Sequence, residues 1–356
     1  MHKRNLLNLL KRQGIERAEC YFTLCPSLEK QYRLSSGGDA AYEDFFDFPM
    51  RMVGEPVPAD LNADFTPYYN TLLAAGTRID RWGVAHCPGS AQAMHMTQML
   101  HPLEGNISLA TLEAYPYPDF SNADYATVEH NIKMTASRGL ASIAKISDMV
   151  WEIAWYLRGM EDLMMDMAVD DEKAAYLLDK VTGAACIRAE KYASMGVDIL
   201  HTGDDVGMQQ KMMFSVDFWR KWIRPRMAKV IRTAKAAKPD ILFSYHSCGF
   251  VTPIIDDLIE IGVDVLNPVQ PECMSFEDIH RQYGNKISFW GTIGTQTTMP
   301  FGTPEDVRRE VLRNLNIAGE KGGLLCTPTH LLEPEVPYEN ILAYVKACND
   351  WKINIV

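Results

Sequence analysis

"ILFSYHSCG", residues 241–249, is an apolar run that closes on a histidine, a cysteine and a glycine. It has the length and β-rich composition of a buried strand. Behind it comes an amphipathic stretch over 252–261, and then a second apolar run, "VDVLNPVQ" (263–270). A strand, a helix and a strand in that order call for a parallel sheet covered by helices. The pattern continues in both directions. Upstream lie "VDILHTGDD" (197–205) and a helical stretch over 215–237 with Trp219, Trp222, Met227 and Ile231 on one face. Downstream lie helical 275–283, "ISFWGTIG" (287–294), helical 304–319, "GGLLCTPTH" (322–330) and helical 337–349. Five β-then-α units with nearly continuous hydrophobic strands predict an α/β fold, a TIM (β/α)8 barrel, which takes about 250 residues.

The first half fits the same plan less regularly. "AECYFTLCP" (18–26) and "LASIAKIS" (140–147) read as strands, and 151–168 and 171–194 as helices. The stretch 38–128, rich in Pro, Gly, Asp, Tyr and Met, reads as long loop insertions over the barrel mouth. "MHKRNLLNLLKRQGIERAE" reads as an amphipathic N-terminal helix, so residues 1–356 are expected to form a single barrel domain. A doubly wound open sheet is the alternative architecture. No G-x-G-x-x-G follows any strand, so that alternative brings no dinucleotide site.

The chain has 356 residues, 47% hydrophobic and 23% charged, with a formal net charge of -11. That acidity argues against nucleic acid as a partner, because phosphate neutralisation needs a basic surface. No apolar run reaches the roughly 20 residues of a membrane span, and the N-terminus lacks a signal peptide's apolar core. A cytoplasmic protein with no membrane association is expected. Eight scattered cysteines then read as reduced thiols rather than a disulfide framework.

In a parallel barrel the chemistry collects at the C-terminal ends of the strands. The polar residues at those ends are Asp204 and Asp205, His246 and Cys248, Asn267 and Gln270, Trp290, and Cys326 with His330. Alternate strand residues share a face, so His246 and Cys248 can both enter the mouth. Imidazole nitrogen and thiolate sulfur are preferred zinc ligands, and a catalytic zinc takes three protein ligands and keeps a position open. A third ligand from another strand end would be Cys326 or His330. Taken alone, an H-x-C pair is more often core packing than a metal site. The strand-end position and the second Cys/His pair shift the balance toward a metal site. Asp204 and Asp205 read either as helix-capping residues or as acid/base or ligand-orienting groups. His201, mid-strand, reads as a core histidine, and the methionines of "MEDLMMDMAVD" and "MHMTQML" as adaptable packing. Tyr245, Gln270 and Trp290 are candidate substrate contacts. Together with Phe250 and the Tyr-rich 115–125 they would suit a flat aromatic substrate.

Four blocks carry a family resemblance: "GVDILHTGDDVGMQQKMMFSVDFWRKWIRPRM", "YHSCGFVTPIIDDLIEIGVDVLNPVQ", "FWGTIGTQTTMPFGTPEDVRREV" and "PTHLLEPEVPYENI". In order and over roughly 140–350, the chain resembles the uroporphyrinogen decarboxylase superfamily. The resemblance implies a TIM barrel with its active site in the mouth. Decarboxylases of the superfamily carry an arginine-rich N-terminal segment of the type "RQAGR", which "ECYFTLCPSLEKQYRLSSGG" lacks. The other branch, the cobalamin-dependent methyltransferases, includes coenzyme M enzymes and those of anaerobic O-demethylation. It implies Zn2+ held by an H-x-C pair, matched here by His246 and Cys248, and a later cysteine. That cysteine follows Pro-Gly in the family, which aligns His330 with it, while Cys326 lies four residues earlier; both stay open.

The expected function is therefore zinc-dependent methyl transfer between a small methylated compound, for example an aryl methyl ether, and the corrinoid (cobalamin) of a separate protein. The chain has no D-x-H-x-x-G of its own for a corrinoid. The alternatives are a metal-free decarboxylase working through Asp204 or Asp205, and a non-catalytic corrinoid-binding protein. A homodimer is compatible with the sequence.

Overall fold

The strands in chain order are β1 (Met50–Met52), β2 (Arg78–Ile79), β3 (Ala85–Cys87), β4 (Gln98–Leu100), β5 (Ala141–Ile146), β6 (Ile199–Gly203), β7 (Leu242–His246), β8 (Val265–Asn267), β9 (Ser288–Trp290) and β10 (Leu324–Leu325). This is a computed structural model, and it describes residues 2–36, 40–60, 62–89, 97–147 and 149–351. Seven strands form one parallel sheet in the order β1-β5-β6-β7-β8-β9-β10, curled with helices on its outside as a TIM-like barrel. The register is continuous across its centre: Lys145 pairs with His201, His201 with Ser244, and Gly203 with His246.

The gap between β10 and β1 is closed by residues 21–25, which were expected to be a full strand. They form one parallel bridge, Leu24 to Leu332, with Leu332 N donating to Thr23 O at 2.9 Å and Cys25 N to Leu332 O at 3.0 Å. Pro26 then opens the helix Pro26–Ser36 and ends the extended run. On the β1 side the closure is aromatic. Phe22 packs edge-on against Phe48 at 4.8 Å, and Tyr21 lies 5.3 Å from the same ring. The buried Tyr344 hydroxyl ties both edges, donating to Cys326 O at 2.8 Å and accepting from Tyr21 N at 3.2 Å.

β1 itself was expected to be part of a loop insertion; three residues are too short to show a period. The rest of that region adds the antiparallel sheet β2-β3-β4 and the helix Leu109–Ala114. Two expected helices are each broken in two. Pro225 starts a new helix, Arg224–Ala237, after Val216–Trp222, and Gly159 at φ 82° separates Trp151–Arg158 from Met160–Ala168. Met167 is core in the latter helix, whereas Met94 and Met96 lie outside the described residues. Among the described residues no helix is long and apolar enough to cross a membrane.

Candidate metal centre

On β7 the two-residue period sorts the side chains cleanly. Ser244 and His246 face the barrel interior, where the Ser244 hydroxyl meets His201 Nδ1 at 3.0 Å. Tyr245 is fully buried on the other face, and its hydroxyl donates to Asp204 O at 2.7 Å. Beyond the strand end, Cys248 N donates to Asp205 Oδ1 at 2.8 Å, which ties the loop after β7 to the loop after β6. The two loops touch backbone to backbone. A Cβ on Gly207 would stand 2.4 Å from Cys248 O, and one on Gly249, at φ 83°, would stand 2.7 Å from Met208 O.

Three ligand-type atoms converge there. His246 Nε2 lies 3.4 Å from Cys248 Sγ and 3.6 Å from Asp205 Oδ1. Donors held about 2.0–2.3 Å from a tetrahedral zinc are themselves roughly 3.3–3.8 Å apart, so these spacings fit that ion. Asp205, His246 and Cys248 are the one such group of three among the described residues. Asn267 completes the fit. Its Nδ2 donates to Trp290 O at 2.6 Å, which leaves Oδ1 to accept from His246 Nδ1 at 2.5 Å. The proton is thereby placed on Nδ1 and the lone pair on Nε2, toward Cys248 and Asp205. Burial pushes His246 below its ordinary pKa against the pull of Asp205, so the imidazole is neutral, the ligand form. Burial, then the charges of Asp205 and Glu152, push the Cys248 thiol up. A metal cation is the group that reverses that cost.

Asp205 and His246 line a cavity of about 540 Å³ in the barrel mouth, in the range of small-molecule sites, with Cys248 behind them. Its aromatic lining is Tyr21, Phe22, Tyr156 and Trp290. Of the predicted contacts only Trp290 lines it. Tyr245 faces outward, and Gln270 is spent on Gly249 N, which donates to its Oε1 at 2.9 Å. Phe250 lies off the cavity, and Tyr115 packs instead against Tyr68 at 4.7 Å with its hydroxyl on Trp82 O. Asp204 is fully buried and accepts from Val150 N at 3.0 Å and Glu152 N at 2.9 Å; it caps the helix Trp151–Arg158 and does not reach the cavity. Cys326 points outward toward the helix Pro304–Ala318. Its thiol lies 3.7 Å from Thr292 Oγ1 and is pushed up to about 12 by burial. His330 is exposed on the cavity, its ring 6.3 Å from that of His246. The structure therefore sets Asp205 beside His246 and Cys248, keeps His330 nearby, and sets Cys326 apart.

Among the cavity residues not read from the sequence are Lys145 and Ser147 at the end of β5, and Glu152 and Tyr156 on the next helix. The strand-end rule applied to "LASIAKIS" would have found the first two. His201, expected in the core, lines the cavity floor, 4.8 Å from Trp290.

The model of the uroporphyrinogen decarboxylase (URO-D) family matches residues 105–351, well over half of the chain. The chain belongs to the URO-D family. Its similarity to individual members is distant. It is 26% identical over 227 residues to the Methylated-thiol--coenzyme M methyltransferase of Methanosarcina mazei, a match that covers 60% of this chain and 55% of that protein's length. It is 24% identical over 251 residues to the uroporphyrinogen decarboxylase of Pseudomonas entomophila, covering 68% of this chain and 69% of that one. Among solved structures, a methyltransferase from Methanosarcina mazei superposes with a TM-score of 0.68 at 18% identity over 98% of both chains, which shows a shared URO-D fold.

Proposed function

We propose that this URO-D family member is a methyltransferase whose zinc site is built on Asp205, His246 and Cys248, and that it moves a methyl group between a small methylated compound and the cobalt of a corrinoid on a separate protein. The spacing of the trio and the tautomer imposed by Asn267 carry this reading. The similarity to a methyltransferase of a methylated thiol supports it. When bound, zinc supplies Lewis acidity toward the substrate's sulfur or oxygen, stabilising the thiolate or alkoxide that gives up or receives the methyl group.

The chain's own residues do the rest. Asn267 holds the His246 ring with Nε2 toward the open side of the site. Asp205 fixes Cys248 through its backbone and keeps Oδ1 3.6 Å from His246 Nε2, within reach of the same ion. Trp290 and Tyr21, whose rings meet edge-on at 5.5 Å, form an apolar wall of the cavity. The Tyr156 hydroxyl donates to Glu152 Oε1 at 2.9 Å, which places a proton-carrying pair beside His246: a Cβ on Gly203 would stand 3.8 Å from Glu152 Oε2 and 3.7 Å from His246 Cβ. An octacarboxylate substrate is disfavoured, because Lys145 is the one Lys or Arg among the described lining residues. The direct test is to mix zinc-loaded protein with a reduced corrinoid protein and a panel of methyl ethers and thioethers. Loss of the reduced-corrinoid absorbance is expected with at least one donor, and not after chelation. Equal turnover by the metal-free chain would contradict the reading.

A further inference from the structure

β5 runs Ala-Ser-Ile-Ala-Lys-Ile, and Lys145 is its one exposed residue, opening into the cavity rather than to the outer surface. Its place in the fold is fixed by register. Lys145 pairs with His201, and His201 with Ser244, two residues before His246 on β7. The lysine is thus rooted one layer, roughly 7 Å, below the metal trio and two strands round the wall from His246. Its charge is close enough to bear on both His201 and His246.

Nothing among the described residues neutralises it. No carboxylate lies within ion-pair distance of Lys145. The two cavity carboxylates have other duties, Asp205 on Cys248 N and Glu152 on the Tyr156 hydroxyl. The ammonium opens into a cavity also lined by Ile143, Trp290 and Tyr21, and a cavity otherwise carrying negative charge has no structural need of it. A lone cation one layer deeper in the same cavity than a metal site is suited to hold the far end of a substrate.

We infer that Lys145 is a specificity-determining residue, and that the methylated substrate is a small acid whose carboxylate or sulfonate pairs with Lys145 while its methylated sulfur or oxygen faces Asp205, His246 and Cys248. This rests on the methyl-transfer reading for the identity of the second end, and the two parts fail separately.

The test is equilibrium binding by the full chain, zinc-loaded and metal-free, of two matched probe pairs. One pair is 4-methoxybenzoate and 4-methoxybenzamide; the other is 3-(methylthio)propionate and its amide. The expected result is at least tenfold tighter binding of one acid over its amide, about 1.4 kcal/mol. Lys145→Met should erase that preference and Lys145→Arg should keep most of it, both variants retaining the wild-type melting temperature and zinc content. Acid and amide binding alike, a preference that survives Lys145→Met, or no binding of any probe at millimolar concentration would overturn the inference. An acid preference that depends on Lys145 in a chain that takes up no zinc would keep the anion subsite and sink the methyl-transfer reading instead.

Discussion

His246 is a usable ligand because of what Asn267 does to it. An imidazole two residues from a cysteine is ordinary core material. The same imidazole with Nδ1–H committed to an amide oxygen presents Nε2 as a lone pair. Asn267→Leu, which keeps the volume and removes the acceptor, is therefore expected to weaken zinc affinity 10- to 100-fold in a competitive chelator titration. An unchanged affinity would mean that the tautomer is set elsewhere. At this scale the sequence was informative about half of the site. The i, i+2 rule on a strand placed His246 on the inner face, but the loop after β7 carries Cys248, and only the contact with Asp205 brings the thiol back to the imidazole. The same rule faces Tyr245, one residue out of phase, away from the interior, against its reading as a substrate contact, but it gave no warning that Cys326 lies on the outer face of its strand.

At the scale of elements, the site is a junction between the loops that follow β6 and β7. Their close approach is possible because both carry glycine where they touch. Gly207→Ala should drive the loops apart at Cys248 O and abolish zinc binding in a chain that still folds, a result read from metal content beside the circular dichroism spectrum. Retained zinc would show that the junction adapts. Asp204 does the opposite kind of work. Its carboxylate satisfies backbone donors at the start of the helix Trp151–Arg158, so Asp204→Ala should cost about 2–3 kcal/mol in urea unfolding. Zinc stoichiometry of the folded protein should be unaffected. An unchanged unfolding midpoint would count against the capping role. Adjacent aspartates in "GDD" gave the sequence no way to tell a cap from a ligand; the alternation at the strand end decides it.

At the scale of the whole molecule, the barrel closes at a seam, residues 21–25, through a single bridge, Leu24 to Leu332, in place of a full strand. Five β-then-α units declared themselves through long apolar runs, whereas the seam strand and β1 are too short for any period to show, and their pairing comes from long-range contacts. Tyr344 holds the two sides of that seam from the C-terminal helix Tyr338–Asp350. Tyr344→Phe leaves the Cys326 and Tyr21 backbone groups short of a partner and should lower stability by about 1–3 kcal/mol, seen as an earlier thermal transition. An unshifted transition would place the closure in the Phe22 and Phe48 packing alone. The seam borders the cavity through Tyr21 and Thr23, so its integrity also sets the shape of the substrate site.

The central claim is that Asp205, His246 and Cys248 hold a zinc ion, and its most direct test is metal content by elemental analysis of untagged protein. About one zinc per chain is expected for the wild type and for Cys326→Ala, and almost none for His246→Ala and Cys248→Ala. Zinc that survives loss of His246 or Cys248, or a wild-type chain that takes up none, would contradict the account.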